Sequence, residues 1–523
     1  MELPVDLLLR RAPKRQRYAR AAHILFGSGC GRELSQGSRE QFVEAVAQFL
    51  REGLCVHDIR HFRECCAEHS DWGFGECPLS LDDEMAVSAR AGAAVRAALS
   101  LLEQGRNVEP GFESPEGVTG AVSPKRSRFE MVELCELKEK LGVAEILADV
   151  RDYGAMSDVL KRICLSTQTV QQVAASSNRL PFIFTQLEII RRTVELWLGT
   201  GDLGVVRDLV GDSTKSLIVD AAQQLILEHG SDSLCLSSQQ GCTEVMTAEF
   251  EEFVLFFSLV RALCMFSCGE FAAFVSVFTA SGLCGAEWGQ IVEDVIAKRS
   301  TTALRTSFGS RSGVVDSVRT SPRLCHVVET SITTAAQLGV MVVLCAFAVL
   351  PRAQAVELVM RMDIVRLWEN VPEAHLLVRS LLQAQFSEAF GAATVLSVMY
   401  LKTDTFAHKH NEMLLHQFKQ TLVAGYAQCF ERLDLRKASI ALSFPLDELE
   451  QLVRGLIESE RLHARIDFVS HRLNGVEEEA FDFGRTSGDY PALLECLHNS
   501  HMCTEELERS LRVASLRQHR AQS

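Results

Sequence analysis

The sequence predicts a mainly α-helical fold, in which a solenoid of helix pairs, similar to tetratricopeptide repeats, leads into a winged helix and a final C-terminal helix. Apolar residues recur at intervals of three and four along most of the chain, as at Phe42, Val46 and Phe49, and this spacing is typical of one face of an α-helix. Strict alternation of apolar and polar residues, which indicates strands, is nearly absent. The 523 residues include only 12 prolines, about half the usual frequency of about 5%, so long helices can run uninterrupted.

Two segments interrupt the helical pattern. Residues 104–128 hold three prolines among several glycines, which is typical of a disordered linker. Residues 299–323 are rich in serine and arginine; a solvated loop is favoured there, and a site for an acidic partner or for phosphorylation is the alternative. The remaining segments up to the winged helix are an N-terminal helical segment at 1–103, a helical-repeat solenoid at 129–298 and the helical part of a further domain at 324–429.

A short phrase recurs between these interruptions, in which a tight polar turn precedes an apolar helix. Helical hairpins need a small or acidic residue at such a turn, so that the chain can leave one helix and cap the next. The intervals between the phrases are unequal, which favours a degenerate solenoid over a regular repeat array. The phrases lie at 152–155, 201–204, 269–272 and 386–390.

Residues 430–474 have a different pattern, which predicts a winged helix. A strand at 430–435 and a small helix at 436–442 precede a second helix, and two segments within 462–473 can pair as a wing. A helix that enters a DNA groove needs a positive charge, and this second helix is negatively charged. It carries a single arginine, Arg454, beside four acids, Asp447, Glu448, Glu450 and Glu458. The residues predicted to form its core or an interface are Leu446, Leu449, Leu452, Val453, Leu456, Leu462 and Ile466.

The composition argues against several classes of function. The chain carries 53 basic and 68 acidic residues, for a formal net charge of −15, so its surface should repel nucleic acids and anionic lipids. Its 17 cysteines are scattered and contain no C-x-x-C pair, which argues against a secreted disulfide framework. The first residues are acidic and amphipathic, unlike a signal peptide, so we expect the chain inside the cell. We expect neither a membrane nor a nucleic acid as partner.

The motifs that resemble catalytic or ligand sites are incomplete. Residues 211–216 place a serine after a lysine, but Thr214 stands where a phosphate-binding loop needs glycine. His408 and His410, with His416 beyond, resemble the H-x-H of metallo-isopeptidases, yet the accompanying Ser, Asp and Glu are missing. These histidines are better explained as the polar start of a helix. The sequence therefore predicts a protein without catalytic, metal or cofactor-binding residues.

Three further features have both a structural and a functional interpretation. Cys264 and Cys268 lie one helical turn apart among phenylalanines and are predicted as core filler. The uncharged segment 330–351 contains an apolar run of only thirteen residues, below the roughly 20 that a bilayer needs, which favours a core helix. A basic run near the amino terminus is either a solvated helix face, which is favoured, or a nuclear-import patch. The run consists of Arg10, Arg11, Lys14, Arg15, Arg17 and Arg20.

A helical-repeat array that ends in a winged helix resembles the PCI family, which occurs in the proteasome lid, the COP9 signalosome and a translation initiation factor. The likeness rests on residues 344–354, 378–390 and 438–467. The amino terminus, at 5–8, 17–26, 42–49 and 56–59, is similar to the opening of one signalosome subunit. The resemblance covers most of 1–75 and 330–475, and the middle of the chain is matched in architecture alone.

The resemblance implies a non-catalytic scaffold in which winged helices of neighbouring subunits pair edge to edge and C-terminal helices gather into a bundle. A helix predicted at 489–518 would provide Leu493, Leu497, Leu507 and Leu511 to that bundle. The implied complex is the COP9 signalosome, in nucleus and cytoplasm, which removes Nedd8 from cullin-RING ubiquitin ligases. Its zinc chemistry belongs to another subunit, so the partners are other PCI subunits and the metalloprotease subunit, and cullin-RING ligases indirectly. The alternative is a non-ATPase subunit of the proteasome regulatory lid.

Overall fold

A computed structural model describes most of the chain, and within it the fold is mainly α-helical, which confirms the predicted fold class. The predicted C-terminal helix, residues 107–128 of the predicted linker and residues 299–320 of the predicted insertion lie outside the described residues. The described residues are 3–27, 30–69, 77–106, 140–160, 162–163, 180–231, 240–279, 321–467 and 469–475.

The amino-terminal part consists of short turns followed by longer helices. Helices α3 and α4 each begin with a side-chain cap: Ser35 accepts a hydrogen bond from the Ser38 amide, and the Cys55 sulfur accepts one from the Asp58 amide. The elements are a π turn at Asp6–Arg10, a 3-10 turn at Lys14–Gln16, α1 (Arg17–Ala22), a π turn at His23–Gly27, α2 (Cys30–Glu33), α3 (Gln36–Glu52), α4 (Val56–Glu68) and α5 (Leu81–Arg106).

The middle of the chain forms the solenoid-like run of helix pairs. Three of the predicted turn phrases precede a new helix, as expected. Asp202 caps α9 by accepting hydrogen bonds from the Gly204 and Val205 amides at 3.1 and 3.3 Å, and Gly269 adopts a positive φ of 79° before α12. The helices are α6 (140–149), α7 (153–160), α8 (Leu180–Thr200), α9 (Leu203–Leu209), α10 (Asp212–Ser231), α11 (Gln240–Ser267) and α12 (Phe271–Thr279).

The third part surrounds one uniformly apolar helix. Fourteen consecutive residues of α14, from Ala335 to Ala348, are buried, because α12, α15, α16 and α19 pack around it. The elements are α13 (Ser321–Val327), a π turn at Val328–Ile332, α14 (Ala335–Val349), α15 (Arg352–Val359), α16 (Met362–Trp368), α17 (Pro372–Leu382), α18 (Phe386–Leu396), a π turn at Ser397–Leu401, a 3-10 turn at His408–His410 and α19 (Asn411–Ala427).

The buried helix α14 lies within the uncharged segment 330–351, whose apolar run was compared above with the length of a membrane-spanning helix. None of the helices in the described part of the chain is by itself long and apolar enough to cross a bilayer. Residues Leu324–Ile332 and Ala335–Val349 reach that length and composition only as a pair, and the two segments are bent by 109° relative to each other.

The last described part has the predicted order of strand, helix, helix and wing. It comprises β1 (Arg432–Asp434), α20 (Leu435–Leu442), α21 (Leu446–Glu458), β2 (Ala464–Asp467) and β3 (Arg472–Gly475). The sheet order is β1-β3-β2 and both pairings are antiparallel, with Leu473 opposite Leu433 on one side and opposite Ile466 on the other. Asp434 caps α20, and Ser443, at a φ of 58°, ends it.

The amino-terminal residues pack against the part of the chain that leads into the winged helix. Gln16 donates a hydrogen bond to the Ile332 carbonyl at 2.9 Å, and His23 Nε2 donates one to the Lys402 carbonyl at 3.0 Å. Arg20 is completely buried, so it is not part of a solvated face, whereas Arg10, Arg11 and Lys14 of the basic run are exposed. The division into seven segments remains a prediction, although α5 runs past its boundary at 103 and α13 begins before the one at 323.

Candidate protein-interaction surface

The residues predicted as core or interface of the winged helix lie in the interior of the chain. Five are buried, and the other two, Leu446 and Ile466, are partly buried and pack against them. They hold α21 against α19, α20 and β2. The buried residues are Leu449, Leu452, Val453, Leu456 and Leu462. A partner must therefore bind other side chains of this unit.

Apolar side chains on the outer surface of the winged helix offer one such contact. Ile440 is 80% exposed on α20, on the face opposite the buried Leu435, Ala438 and Leu442. Val469, at the turn between β2 and β3, is 92% exposed. An isoleucine and a valine held open to water on fixed elements gain free energy when a partner covers them.

The sheet also presents two open edges. Strand β3 lies in the centre, and within the described residues β1 and β2 each pair with β3 alone. Such an edge leaves main-chain amides and carbonyls available to a strand from another molecule. Both edge strands are short, and the exposed side chains of Arg465 and Asp467 on β2 add charge, which disfavours unspecific pairing.

The acidic residues of α21 serve two purposes. Glu448 forms an ion pair with Lys419 at 2.6 Å, and Glu450 contacts His471 Nδ1 at 2.5 Å, so these two partly exposed acids join α21 to α19 and to the turn before β3. Asp447 and Glu458 are exposed. The outer face of α21 is thus acidic, as predicted, but only part of its acidic charge is free to meet a partner.

A cluster of rings joins the winged helix to the preceding helices. Phe390 and Phe444 meet edge to face with ring centroids 4.7 Å apart, and Lys419 Nζ lies 5.0 and 5.6 Å from the two centroids. The hydroxyls of Ser387 and Ser443 share a hydrogen bond of 2.6 Å. Edge-to-face rings with a cation nearby contribute beyond their buried area. Residues 386–390, singled out in the sequence, therefore fix the orientation of the winged helix.

The histidines that resembled a metal site point to separate partners. His408 Nδ1 donates to the Asp404 carbonyl at 3.2 Å, His410 Nε2 donates to the Ser267 carbonyl at 2.7 Å, and His416 contacts Gln420. The 3-10 turn His408–His410 leads directly into α19, as the structural interpretation predicted. The described part of the chain holds no group of three or more His, Cys, Asp or Glu that could bind a metal ion.

Two other motifs are the lysine-serine segment at 211–216 and the cysteine pair Cys264 and Cys268. Thr214 donates its hydroxyl hydrogen to the Leu209 carbonyl at 2.6 Å, so this residue closes the turn between α9 and α10. Cys264 is buried, and burial raises the pKa of its thiol to about 12. Cys268, however, is exposed just beyond the end of α11, so the prediction of core filler was wrong for this cysteine. Because α11 ends at Ser267, Cys268 lies in the turn beyond the helix and not on its buried face.

Comparison with protein-family models detects a PCI domain at residues 398–474. The matched segment contains α19 and the whole winged helix up to Asn474 in β3. PCI domains mediate assembly with other PCI subunits in multi-subunit complexes, and their proteins are typically non-catalytic scaffold subunits. No curated protein matches the chain.

Proposed function

We propose that this protein is a non-catalytic scaffold subunit of a multi-subunit PCI complex and that its winged helix binds the neighbouring subunits. The PCI domain at 398–474 is the observation that carries the proposal. The open edge of β2 and the exposed Ile440 support it, because both lie on the outer surface of that domain. The contact between the rings of Phe390 and Phe444 supports a fixed orientation of the winged helix relative to the helices before it.

The complex that we infer is the COP9 signalosome, and the proposed role resembles that of its subunit 1. The likeness of residues 5–8 and 17–26 to the opening of that subunit favours this assignment. In this role the chain supports removal of Nedd8 from cullin-RING ubiquitin ligases, while the metalloprotease subunit supplies the zinc chemistry. The protein would act in nucleus and cytoplasm, with leucines 493, 497, 507 and 511 in the C-terminal bundle.

The alternative is a non-ATPase subunit of the proteasome regulatory lid, which shares the same PCI subtype. The closing phrase of the winged helix, 460–467, is similar to both relatives and favours neither. The two assignments differ in the chains that accompany the protein.

Affinity purification of the tagged full-length chain from its native cells, followed by mass spectrometry, tests the proposal. Cullins and a metalloprotease subunit among the co-purified proteins would support the signalosome, and ATPase-ring subunits would support the proteasome lid. Elution as a free 58 kDa monomer, with neither set of subunits, would contradict the scaffold role itself.

A further inference from the structure

The sheet of the winged helix has one buried face and one open face. Leu433 in β1 and Leu473 in β3 are buried, and successive side chains of a strand point to opposite faces of a sheet. The residues next to these leucines therefore lie on the open face, together with their partners in β2. Arg432, Arg465, Asp467, Arg472 and Asn474 are exposed there, and Asp434 is partly exposed.

Two arginines of the open face lie in one row across the sheet. Arg432 of β1 and Arg465 of β2 are both paired with Asn474 in the central strand β3. Because neighbouring strands are about 4.8 Å apart, the Cα atoms of the two arginines are separated by about 10 Å. This arginine row, formed by Arg432, Asn474 and Arg465, presents two guanidinium groups and a side-chain amide, all of which can donate hydrogen bonds.

The positive charge of the arginine row is not neutralised by neighbouring side chains. Among the residues that the structure describes, neither Arg432 nor Arg465 forms an ion pair or a side-chain hydrogen bond. Lys419, in contrast, is paired with Glu448 in the same domain. An arginine pair without carboxylate partners is a site for an anion from outside, because guanidinium groups bind carboxylates in a bidentate manner.

The two acids of the open face are already hydrogen-bonded. Asp434 and Asp467 lie in the next row, on either side of Arg472. Asp434 accepts hydrogen bonds from the first amides of α20 at 3.0 and 3.4 Å, and Asp467 accepts one from the Ser470 hydroxyl at 2.5 Å. These contacts hold both carboxylates at their own turns, so the arginine row remains available.

The first turn of α20 adds positive charge beside Asp434. Arg436 and Lys437 are exposed, and within the described part of the chain neither side chain has a partner. Cations in the first turn of a helix are disfavoured by the helix dipole. This arrangement therefore costs stability in the free chain, and an anion bound nearby would offset that cost.

An acidic protein segment fits the open face better than a nucleic acid does. The formal net charge of −15 repels a long polyanion, and Asp447 and Glu458 of α21 are exposed in the same domain. Proteins that bind single strands stack the bases on aromatic side chains, and the described residues of the open face include no aromatic one. A short acidic segment needs only the local positive charge.

We propose that the open face of this sheet binds an acidic segment of another protein, whose carboxylates pair with Arg432 and Arg465 while its intervening part accepts a hydrogen bond from Asn474. Arg436 and Lys437 attract the same segment from the side of α20. The contact goes beyond the proposed function, because it uses the face of the sheet and requires no other PCI subunit.

The chain's own acidic run at 477–479 is the competing occupant. The described chain leaves the sheet at Gly475, at the end of the central strand. A reversal onto the open face takes a turn of about four residues, which would use 475–478 and leave only Glu479 of the run. One glutamate cannot pair with two arginines on opposite edge strands, so an external segment is favoured.

The test uses the purified full-length protein and a fluorescein-labelled peptide of eight glutamates, with fluorescence anisotropy at 0.15 M salt. We expect saturable binding that weakens at least about tenfold in Arg432→Gln/Arg465→Gln, because two hydrogen bonds to charged groups are lost. The control Arg379→Gln/Lys409→Gln removes two exposed cations elsewhere and should bind as the unmodified protein does. Melting temperatures check the folding of both variants.

Three outcomes would overturn the proposal. The first is a lack of saturable peptide binding, or equal affinity in the two double variants. The second is tighter binding of labelled octathymidylate than of the peptide, which would indicate a nucleic acid as partner.

The third outcome concerns the chain's own acidic run. The variant Glu477→Gln/Glu478→Gln/Glu479→Gln should bind the peptide within about twofold of the unmodified affinity, since repulsion beyond about 8 Å is screened at this salt concentration. A larger gain in affinity would show that the run itself covers the arginine row.

Discussion

The guanidinium of Arg20 and the carboxylate of Asp404 form an ion pair with 3.0 Å between Nη1 and Oδ2, and both side chains are completely buried. Asp404 also accepts hydrogen bonds from the Phe406 and Ala407 amides at 2.8 and 3.0 Å. Arg20 donates to Thr333 at 2.7 Å. A buried pair is tolerated when its remaining donors and acceptors are satisfied in this way. The pair fixes the amino-terminal segment to the start of the PCI domain.

Replacing Arg20 should therefore be costly. Arg20→Met leaves the Asp404 carboxylate buried without its partner, and we expect a loss of about 3–5 kcal/mol in the free energy of unfolding. Arg11→Met is the matched control: Arg11 is 49% exposed and 3.9 Å from Glu329, so its loss should be within about 1 kcal/mol. Urea denaturation followed by circular dichroism measures both. Similar losses in the two variants would contradict this account of the pair.

The close approach of α14 and α16 depends on Gly339. A Cβ at this position would lie 2.8 Å from the Leu367 carbonyl carbon and 3.0 Å from its Cβ, so Gly339→Ala should destabilise the protein by about 1–3 kcal/mol. Gly391→Ala, in the exposed middle of α18 with nothing within 4 Å, should instead stabilise it by about 0.5–1 kcal/mol. Thermal denaturation compares the two, and the same sign for both would refute the packing argument.

His23 should make stability depend on pH. Burial is the main cause that lowers its pKa below the ordinary 6.5, and His408 and Arg20 add to the effect while the Lys402 carbonyl and Asp404 oppose it. The unfolded chain therefore takes up the proton first as the pH falls below 6.5. The stability due to neutral His23 is complete above that value and is lost as the pH falls through the folded-state pKa.

The comparison variant for His23 is His23→Gln, whose amide can still donate to the Lys402 carbonyl. Between about pH 7 and pH 5 the melting temperature of the unmodified protein should fall more steeply than that of the variant. Differential scanning fluorimetry across this range gives both slopes. Parallel curves would show that His23 does not contribute to the pH dependence.

The sequence predicted the winged helix well because its signals are local. Pro445 starts α21, Asp434 caps α20, and the apolar stripe of α21 needs only the 3.6-residue period. The burial of Arg20 could not be predicted in this way, since its partner Asp404 is brought close only by the tertiary fold. The pairing of Glu448 with Lys419 was missed for the same reason. The C-terminal leucines and the two insertions remain predictions.

The central claim is that the winged helix is the surface through which this protein joins its complex. The most direct test compares the tagged double variant Ile440→Asp/Val469→Asp with the control Met362→Asp, whose methionine is 58% exposed outside the PCI domain. Quantitative mass spectrometry of co-purified subunits, with melting temperatures as a check on folding, is the measurement. We predict that the double variant stays folded and loses most of its partners while the control keeps them. A full set of partners on the folded double variant would contradict the claim.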